Sequence, residues 1–485
     1  MKKVKGEMTV FLSLTLMLVA SLLFTLAEGA RYRCLASFAR MDRVLQANSS
    51  FAEYDRALME EYGLLYLDDS YGSGEENLNR VVSRIMNLSR DSLNPDGFLG
   101  STLLRMEMKE CSIDAYELAV DYKGDAFRRQ IVEFCKENLG AEALSMMKAK
   151  LISKQKAASL PEYGTGLRLM NRKTIQPPTP LLTDLDFEFE NPLEFMEILQ
   201  GKAVLALVKP KDRTISTKSA ELGNVTDKRR NRSGNYQSHK STGLDGSAWY
   251  LLYLKHNFGN FIHPKENKKL DYEMEYILCG NKSDKKNLEE VCGKIMEIRE
   301  LLNRAYLETD GEKQGIAITI ATILAAVLVN PELIEPFKEA ILGAWSYIES
   351  LQELKVLLKG GRVPIIKTAD TWITDVQFPV RSFEKDVEAE DSGTGLSYED
   401  FLTQFVLMLS EKRQNYRMMS MMELNIRQRE GKGSFCMDCM IQRMDLGYVY
   451  EARPLFLSMV SIGDPDRGNY RFDEEYKISY LTGDG

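Results

Sequence analysis

The chain opens on an uninterrupted apolar run, Met8 to Ala27 (MTVFLSLTLMLVASLLFTLA), which contains no charged residue. A helix of about 20 apolar residues is long enough to cross a bilayer. Lys2, Lys3 and Lys5 precede the run and form the basic flank of an export signal or signal anchor. The run is longer than the ~7–15-residue core of a cleaved signal, so a retained anchor is expected. Ala27-Glu28-Gly29 before Ala30 is the competing small-residue cleavage site. Arg31, Arg33, Arg40 and Arg43 nearly balance the leading lysines. Orientation is therefore read from the short leading tail: N-terminus cytoplasmic, bulk of the chain outside, in a single-pass arrangement.

Beyond the run, Leu35, Phe38, Val44, Leu45, Phe51, Tyr54, Leu58 and Tyr62 recur largely at helical spacings, with Arg40, Asp42, Arg43, Gln46, Asn48, Glu53 and Asp55 between them. This pattern predicts that the anchor continues as a long amphipathic helix. Leu64 to Leu67 reads as a short buried strand, Asp68 to Gly74 as a loop, and Glu75 to Ser89 as a helix. A strand is expected around Ala115 to Tyr122, a turn at Lys123-Gly124-Asp125, and a helix from Ala126 to Ser159. Gln176 to Pro180 is a proline-rich linker. Ala203 to Val208 is a buried strand or helix end; Trp249–Phe261 and Tyr272–Cys279 carry core residues; Leu288–Leu307 is amphipathic.

Ile316 to Val329 (IAITIATILAAVLV) is a second apolar run, too short to span comfortably, and is expected as a buried helix. The stretch from Pro331 to Leu358 would return on it as a hairpin, stopped by Gly360-Gly361. Val363 to Ile366 opens the last stretch, and Glu388 to Gly395 reads as an acidic, turn-rich loop. Ser397 fits the N-cap of a helix running to Arg427. Leu446–Ala452, Leu455–Ile462 and Tyr470–Leu481 show strand periodicity. The class is α+β: one N-terminal transmembrane helix continuing into a long amphipathic helix, then a mixed helix/strand extracytoplasmic region. The expected divisions are residues 1–30 (anchor with short cytoplasmic tail), 31–175 (helix-rich, membrane-proximal), 181–360 (mixed, ending in the hairpin) and 361–485 (C-terminal α+β).

Composition narrows function. A net charge of −8 over 485 residues argues against nucleic acid as the main partner. Seven cysteines are too few for a disulfide-built scaffold of this size. Proximity in sequence pairs Cys111 with Cys135 and Cys279 with Cys292; the alternative is buried thiols that act as small hydrophobes. Lys209 to Lys240 is polar and basic, including Lys228-Arg229-Arg230 and Arg232. It reads as a solvated loop, with contact to a polyanion as the sharper alternative.

Candidate chemistry is sparse. Cys436-Met437-Asp438-Cys439 is a C-x-x-C, but neither a strand–CxxC–helix context nor two further zinc ligands at matching spacing is visible. His239, His256 and His263 form no metal-like or catalytic cluster. Asp464-Pro465-Asp466-Arg467-Gly468 with Glu475 faintly follows a calcium loop, with Asn469 where such a loop needs Gly; a turn between strands is the better reading. No catalytic, cofactor-binding or metal residue is assigned, and no cofactor is expected.

The opening Lys5-Gly6-Glu7-Met8-Thr9-Val10-Phe11-Leu12 resembles the start of the TadE/TadG-like pseudopilins of tight-adherence (Tad/Flp) pilus systems, in which a Gly precedes a processed hydrophobic helix. The prepilin pattern has Glu five residues after that Gly, where this chain has Phe11. Further matches are Phe51-Ala52-Glu53-Tyr54-Asp55 with Tyr62-Gly63-Leu64, Asp271 to Leu278, Leu357 to Gly360, Trp372, and Leu396 to Leu402. On these the chain resembles an uncharacterised family of membrane-anchored proteins of Gram-positive bacteria, encoded among Tad-like pilus components. The resemblance implies surface-appendage or secretion work, with the bilayer and other pilus or secretion components, met through the N-terminal helix, as partners. An anchored enzyme, a thiol-redox protein or an envelope polymer-binding sensor is the competing expectation.

Overall fold

The computed structural model describes residues 4–93, 105–140, 144–148, 189–221, 232–236, 243–385, 395–456 and 468–481. They fall into two compact units. The first takes Met1–Asn138, Arg229–Gly246 and Ile426–Gly485; the second takes Leu139–Lys228 and Ser247–Asn425. The expected divisions are contiguous blocks of chain, whereas three separate stretches build the first unit. The physical reason is strand pairing: residues 106–118 find their partner at 440–452.

The first unit starts with α1 (Val4–Phe51), α2 (Arg56–Tyr62), β1 (Leu67–Asp68), α3 (Leu78–Leu93), β2 (Met106–Leu118) and α4 (Asp121–Asn138). α1 continues without a break through Ala27–Ala30, as the joined apolar run and stripe predict. Asp55 caps α2 by accepting the Leu58 N–H at 2.9 Å, and Gly63 ends it at φ 68°. β1 is shorter than expected: Leu64 and Tyr66 are buried, but only Leu67 and Asp68 pair. The turn expected near Lys123 is a left-handed run over Tyr122, Lys123 and Gly124 (φ 53°, 63° and 81°). The helix after it ends at Asn138, residues 144–148 are helical again, and Ser159 and the Gln176–Pro180 linker lie within residues 149–188, outside the described residues.

The second unit holds α5 (Pro192–Gln200), α6 (Val204–Val208), α7 (Gly243–Asn257), α8 (Glu273–Cys279), α9 (Asp284–Thr309), α10 (Gly311–Val327), α11 (Ile334–Leu358), β3 (Arg362–Val363), α12 (Pro379–Glu384), β4 (Leu396–Ser397), α13 (Tyr398–Met408) and α14 (Glu411–Ile426). α10 and α11 form the expected hairpin, and α9 packs along α11. α10 buries Ala317, Ile320, Ala321, Leu324 and Ala325 against Phe337, Ile341, Leu342 and Trp345 of α11. Its opposite side, with Ile318 43 % and Ile323 36 % exposed, faces outward, so the run is buried on one face only. Gly360 at φ 92° follows α11, as its position predicts. Ser397 caps α13 in a capping box with Asp400. The helix expected to reach Arg427 is instead two helices, broken at Leu409-Ser410. The acidic loop lies outside the described residues except for Gly395.

A buried charge network ties α9 and α11 to the segment after them. Arg299 reaches both oxygens of Glu353 and the Pro364 carbonyl, and Lys367 bonds Glu353 at 2.8 Å and pairs with Glu349. Glu349 also accepts the Ile373 and Thr374 N–H groups, each at 2.8 Å. Two cations face two carboxylates here, so the desolvation of each is offset by its neighbours. Burial raises the Glu353 carboxyl, and Arg299 and Lys367 override it, holding it below its usual range.

The chain then returns to the first unit as β5 (Met440–Ala452) and β6 (Tyr470–Ser479). β5 is the central strand of an all-antiparallel sheet. β2 covers one edge of it; on the other, β1 pairs with its first two residues and β6 with the last ten. Met444, Leu446, Tyr448, Tyr450 and Ala452 alternate along its buried face, which α1 covers together with β6. The strand expected at Leu455–Ile462 is absent at Leu455 and Phe456, and its remainder lies outside the described residues.

Candidate functional site

Most of the first half of α1 is exposed, and Phe24 near its end stacks on Phe456 at 6.1 Å between ring centroids. Phe11, Leu16, Met17 and Leu23 are each more than half exposed. Ser13, Thr15, Ser21 and Thr25 turn their hydroxyls back onto carbonyls of the helix itself, at 2.7–3.0 Å. From Met8 to Ala27 the helix therefore carries no charge, and these hydroxyls are spent on its own backbone, which suits a medium without water. Among the described residues this is the one helix long and apolar enough to cross a membrane, and it is a candidate membrane span or signal anchor.

The second half is fixed to β6 along its length. Tyr32 meets Tyr470 and Phe472 at 5.2 and 5.3 Å between ring centroids; Arg43 pairs with Glu474 at 2.8 Å; Phe51 stacks on Tyr480 at 4.5 Å. Residues 32–51 of a helix rise about 30 Å. Residues 470–480 of a strand span about 34 Å, so the two run side by side in register. At the junction of the two halves, Glu28 is 2 % exposed, pairs with Arg31 at 2.8 Å and accepts the Leu455 and Phe456 N–H groups at 3.0 and 2.6 Å. Asp42, expected on the polar side of the stripe, is buried and accepts from Gln46, Ser89, Ser92 and Tyr450.

The C-x-x-C lies on a 3-10 turn, Met437–Cys439, that leads directly into β5. Pairing of β1 with the start of β5 brings Asp68 and Asp69 to it, and the Asp69 N–H donates to the Cys439 carbonyl at 3.1 Å. Arg232 comes in from a distant stretch, pairs with Asp69 and with Glu76 at 2.7 Å, donates to the Asp438 carbonyl, and lies over the Tyr116 ring. The Cys436 thiol hydrogen-bonds that of Cys439. This contact, then burial and the nearby Asp69 and Asp68 charges, pushes the Cys439 thiol far up. No such shift favours a thiolate, which an exchange-active thiol requires.

All seven cysteines are thiols. Burial pushes Cys111, Cys135 and Cys279 up to about 12, as inert small hydrophobes behave. His239 lies outside the described residues. His263 is an exposed residue 3.1 Å from Glu399, and the His256 carbonyl accepts from Lys265. Asp464–Arg467 also lie outside, and Glu475 sits in β6 opposite Gly447. Within the basic stretch, Lys228-Arg229-Arg230 and Lys240 are outside the described residues. Three of the described cations have partners: Arg213 donates to the Phe261 and Ile262 carbonyls, Lys218 pairs with Asp271, and Arg232 serves the cysteine turn. Lys209, Lys211 and Lys218 are exposed, as a solvated stretch expects, whereas Arg213 and Arg232 are drawn into contacts within their own units.

The acidic stretch Asp271 to Leu278 supplies acceptors for backbone. Glu273 accepts the Gly259 N–H, Glu275 the Phe261 N–H and the Tyr398 hydroxyl, each at 2.8–2.9 Å. Burial raises both carboxyls to about 7. Asp68, Asp69 and Arg232 are the residues that sequence reasoning passed over. Two sit in a loop that reads as ordinary Gly/Ser/Asp turn, and the third in a basic run, so only the strand pairing reveals them.

Residues 185–452, more than half of the chain, match the model of a family of unknown function (DUF5702). No curated protein and no solved structure matches the chain.

Proposed function

We propose a role for this chain, which belongs to the family of unknown function DUF5702: a non-enzymatic, membrane-anchored extracytoplasmic protein that works as an accessory or minor pseudopilin-like part of a Tad-like pilus or secretion assembly. The observation that carries the reading is α1, one unbroken 48-residue helix with a bare apolar half and a half fixed to a sheet. Such a helix is a strut. Its first half sits in the bilayer beside the anchor helices of other components, and its second half transmits their position to the folded part.

Small residues at Ser13, Ala20 and Ser21 permit close helix approach. Glu28 and Phe24 are tied to Leu455 and Phe456, which favours retention of the anchor over cleavage before Ala30. The raised Cys439 thiol weighs against the thiol-redox alternative.

The test is co-purification from native membranes. Ala20→Phe is expected to reduce recovery of the assembly's other anchored components while leaving the amount of this protein unchanged; equal recovery counts against the packing role. Intact mass and N-terminal sequencing of the same material separate the processing states. A start at Glu7 supports prepilin-type maturation, a start at Met1 a plain anchor, and a start at Ala30 overturns the reading.

A further inference from the structure

We propose that the cysteine turn and the two aspartates beside it form a binding site for a thiophilic divalent cation of the zinc class, with Cys436, Cys439, Asp69 and Asp68 as ligands. This inference does not depend on the proposed role in an assembly. One ligand atom from each of Asp68, Asp69 and Cys439 lies within 4.8 Å of the others, and the Cys436 thiol touches that of Cys439. A tetrahedral ion with bonds of about 2.0–2.3 Å holds its ligand atoms about 3.5 Å apart, so Asp68, Asp69 and Cys439 have to draw in by about 1 Å, and Cys436, outside that group of three, has to swing in as the fourth ligand.

A second observation points to a missing ligand. Asp69 is fully buried, its Oδ1 accepts no N–H or O–H, and the Cys439 thiol is a weak donor to the same carboxylate. A buried carboxylate oxygen left bare is costly, and an ion beside it removes that cost. Its other oxygen, Oδ2, is held by Arg232. Asp68 is held by the Ser70 N–H at 2.9 Å, the Ser70 hydroxyl at 2.6 Å and the Gly72 N–H at 2.8 Å. Both carboxylates are thus oriented by outer contacts, as metal-ligating carboxylates are.

Charge favours the same occupant. The Asp68 and Asp69 carboxylates, with Glu76 also drawing on Arg232, leave an excess of negative charge beside the thiols that a divalent cation offsets. On binding, each thiol releases its proton to water and forms a metal–sulfur bond; no oxidant or reductant is needed.

The test titrates the reduced, chelator-treated, tag-free full chain in detergent with Co2+. The expected result is thiolate-to-cobalt absorption in the near ultraviolet that saturates at one ion per chain and is bleached by Zn2+. Cys436→Ser is expected to remove most of that absorption, and Asp69→Asn to weaken binding by at least tenfold. Cys34→Ser, at an exposed thiol of α1, is expected to leave it unchanged. If Asp69→Asn does not fold, as its lost pair with Arg232 makes plausible, Asp68→Asn takes its place with the same expectation. Absence of the band in the wild-type chain overturns the proposal. So does a band indifferent to Cys436→Ser, or a Cys436–Cys439 disulfide that on reduction gives a turn unable to bind cobalt.

Discussion

Asp42 holds four side chains at once: Gln46 of its own helix, Ser89 and Ser92 of α3, and the Tyr450 hydroxyl of β5. Each is a donor to a buried carboxylate, so removing it strands all of them. Asp42→Ala is expected to lower stability by about 2–4 kcal/mol, read as a fall in the urea midpoint of the first unit. In the sequence Asp42 and Gln46 look like the wet side of an amphipathic helix. They are buried because α1 is covered on more than one side, which a single stripe does not reveal. Glu273 and Glu275 make a different prediction. Their folded pKa values of about 7 lie above the unfolded value, so between about pH 4.5 and 7 the folded state holds protons that the unfolded state has released. Stability of the second unit should therefore fall as pH rises through that window, by about 1.4 kcal/mol per pH unit per group, and level off above it. Urea midpoints at pH 5 and pH 7 check the sign, and Glu275→Gln should flatten the slope; a midpoint that climbs with pH contradicts the assignment.

At the scale of elements, helices were largely legible and strands were not. The apolar run of α1, the stripe of α9, the α10–α11 hairpin and the Ser397 cap all follow from local signals. Ser397→Ala should cost about 1 kcal/mol by freeing the Asp400 N–H, measured by thermal unfolding, while Ser397→Asp should retain most of that stability. β2 was seen only at its end because its register shifts between Met108 and Glu110 and again between Ile113 and Ala115, which breaks the period of two. β5 hid its first half for another reason. Met440 to Met444 are all buried, Gln442 and Arg443 included, so no alternation marks them. The cysteine turn was visible as a motif, but its neighbours were not, since β1 offers only two paired residues to announce them.

For the molecule as a whole, the informative fact is that the first unit is not a contiguous stretch of chain. A chain ended at Asn425 lacks β5 and β6, so β2 has no partner and α1 loses the rings of Tyr450, Tyr470 and Phe472. Limited proteolysis of that truncated protein should degrade residues 4–138 while residues 247–425 stay protected. A resistant fragment covering 106–138 would show that the sheet does not need its central strand.

The place of β5 in the sequence also sets a timetable. A chain delivered from its N-terminus presents the apolar half of α1 first and the strand that completes the sheet almost last. Throughout that interval the aromatic flank of α1 has nothing to lie against, and the two aspartates of the β1 loop have no cysteines beside them. The first unit therefore closes only once β5 has been made, long after α1, β1 and β2.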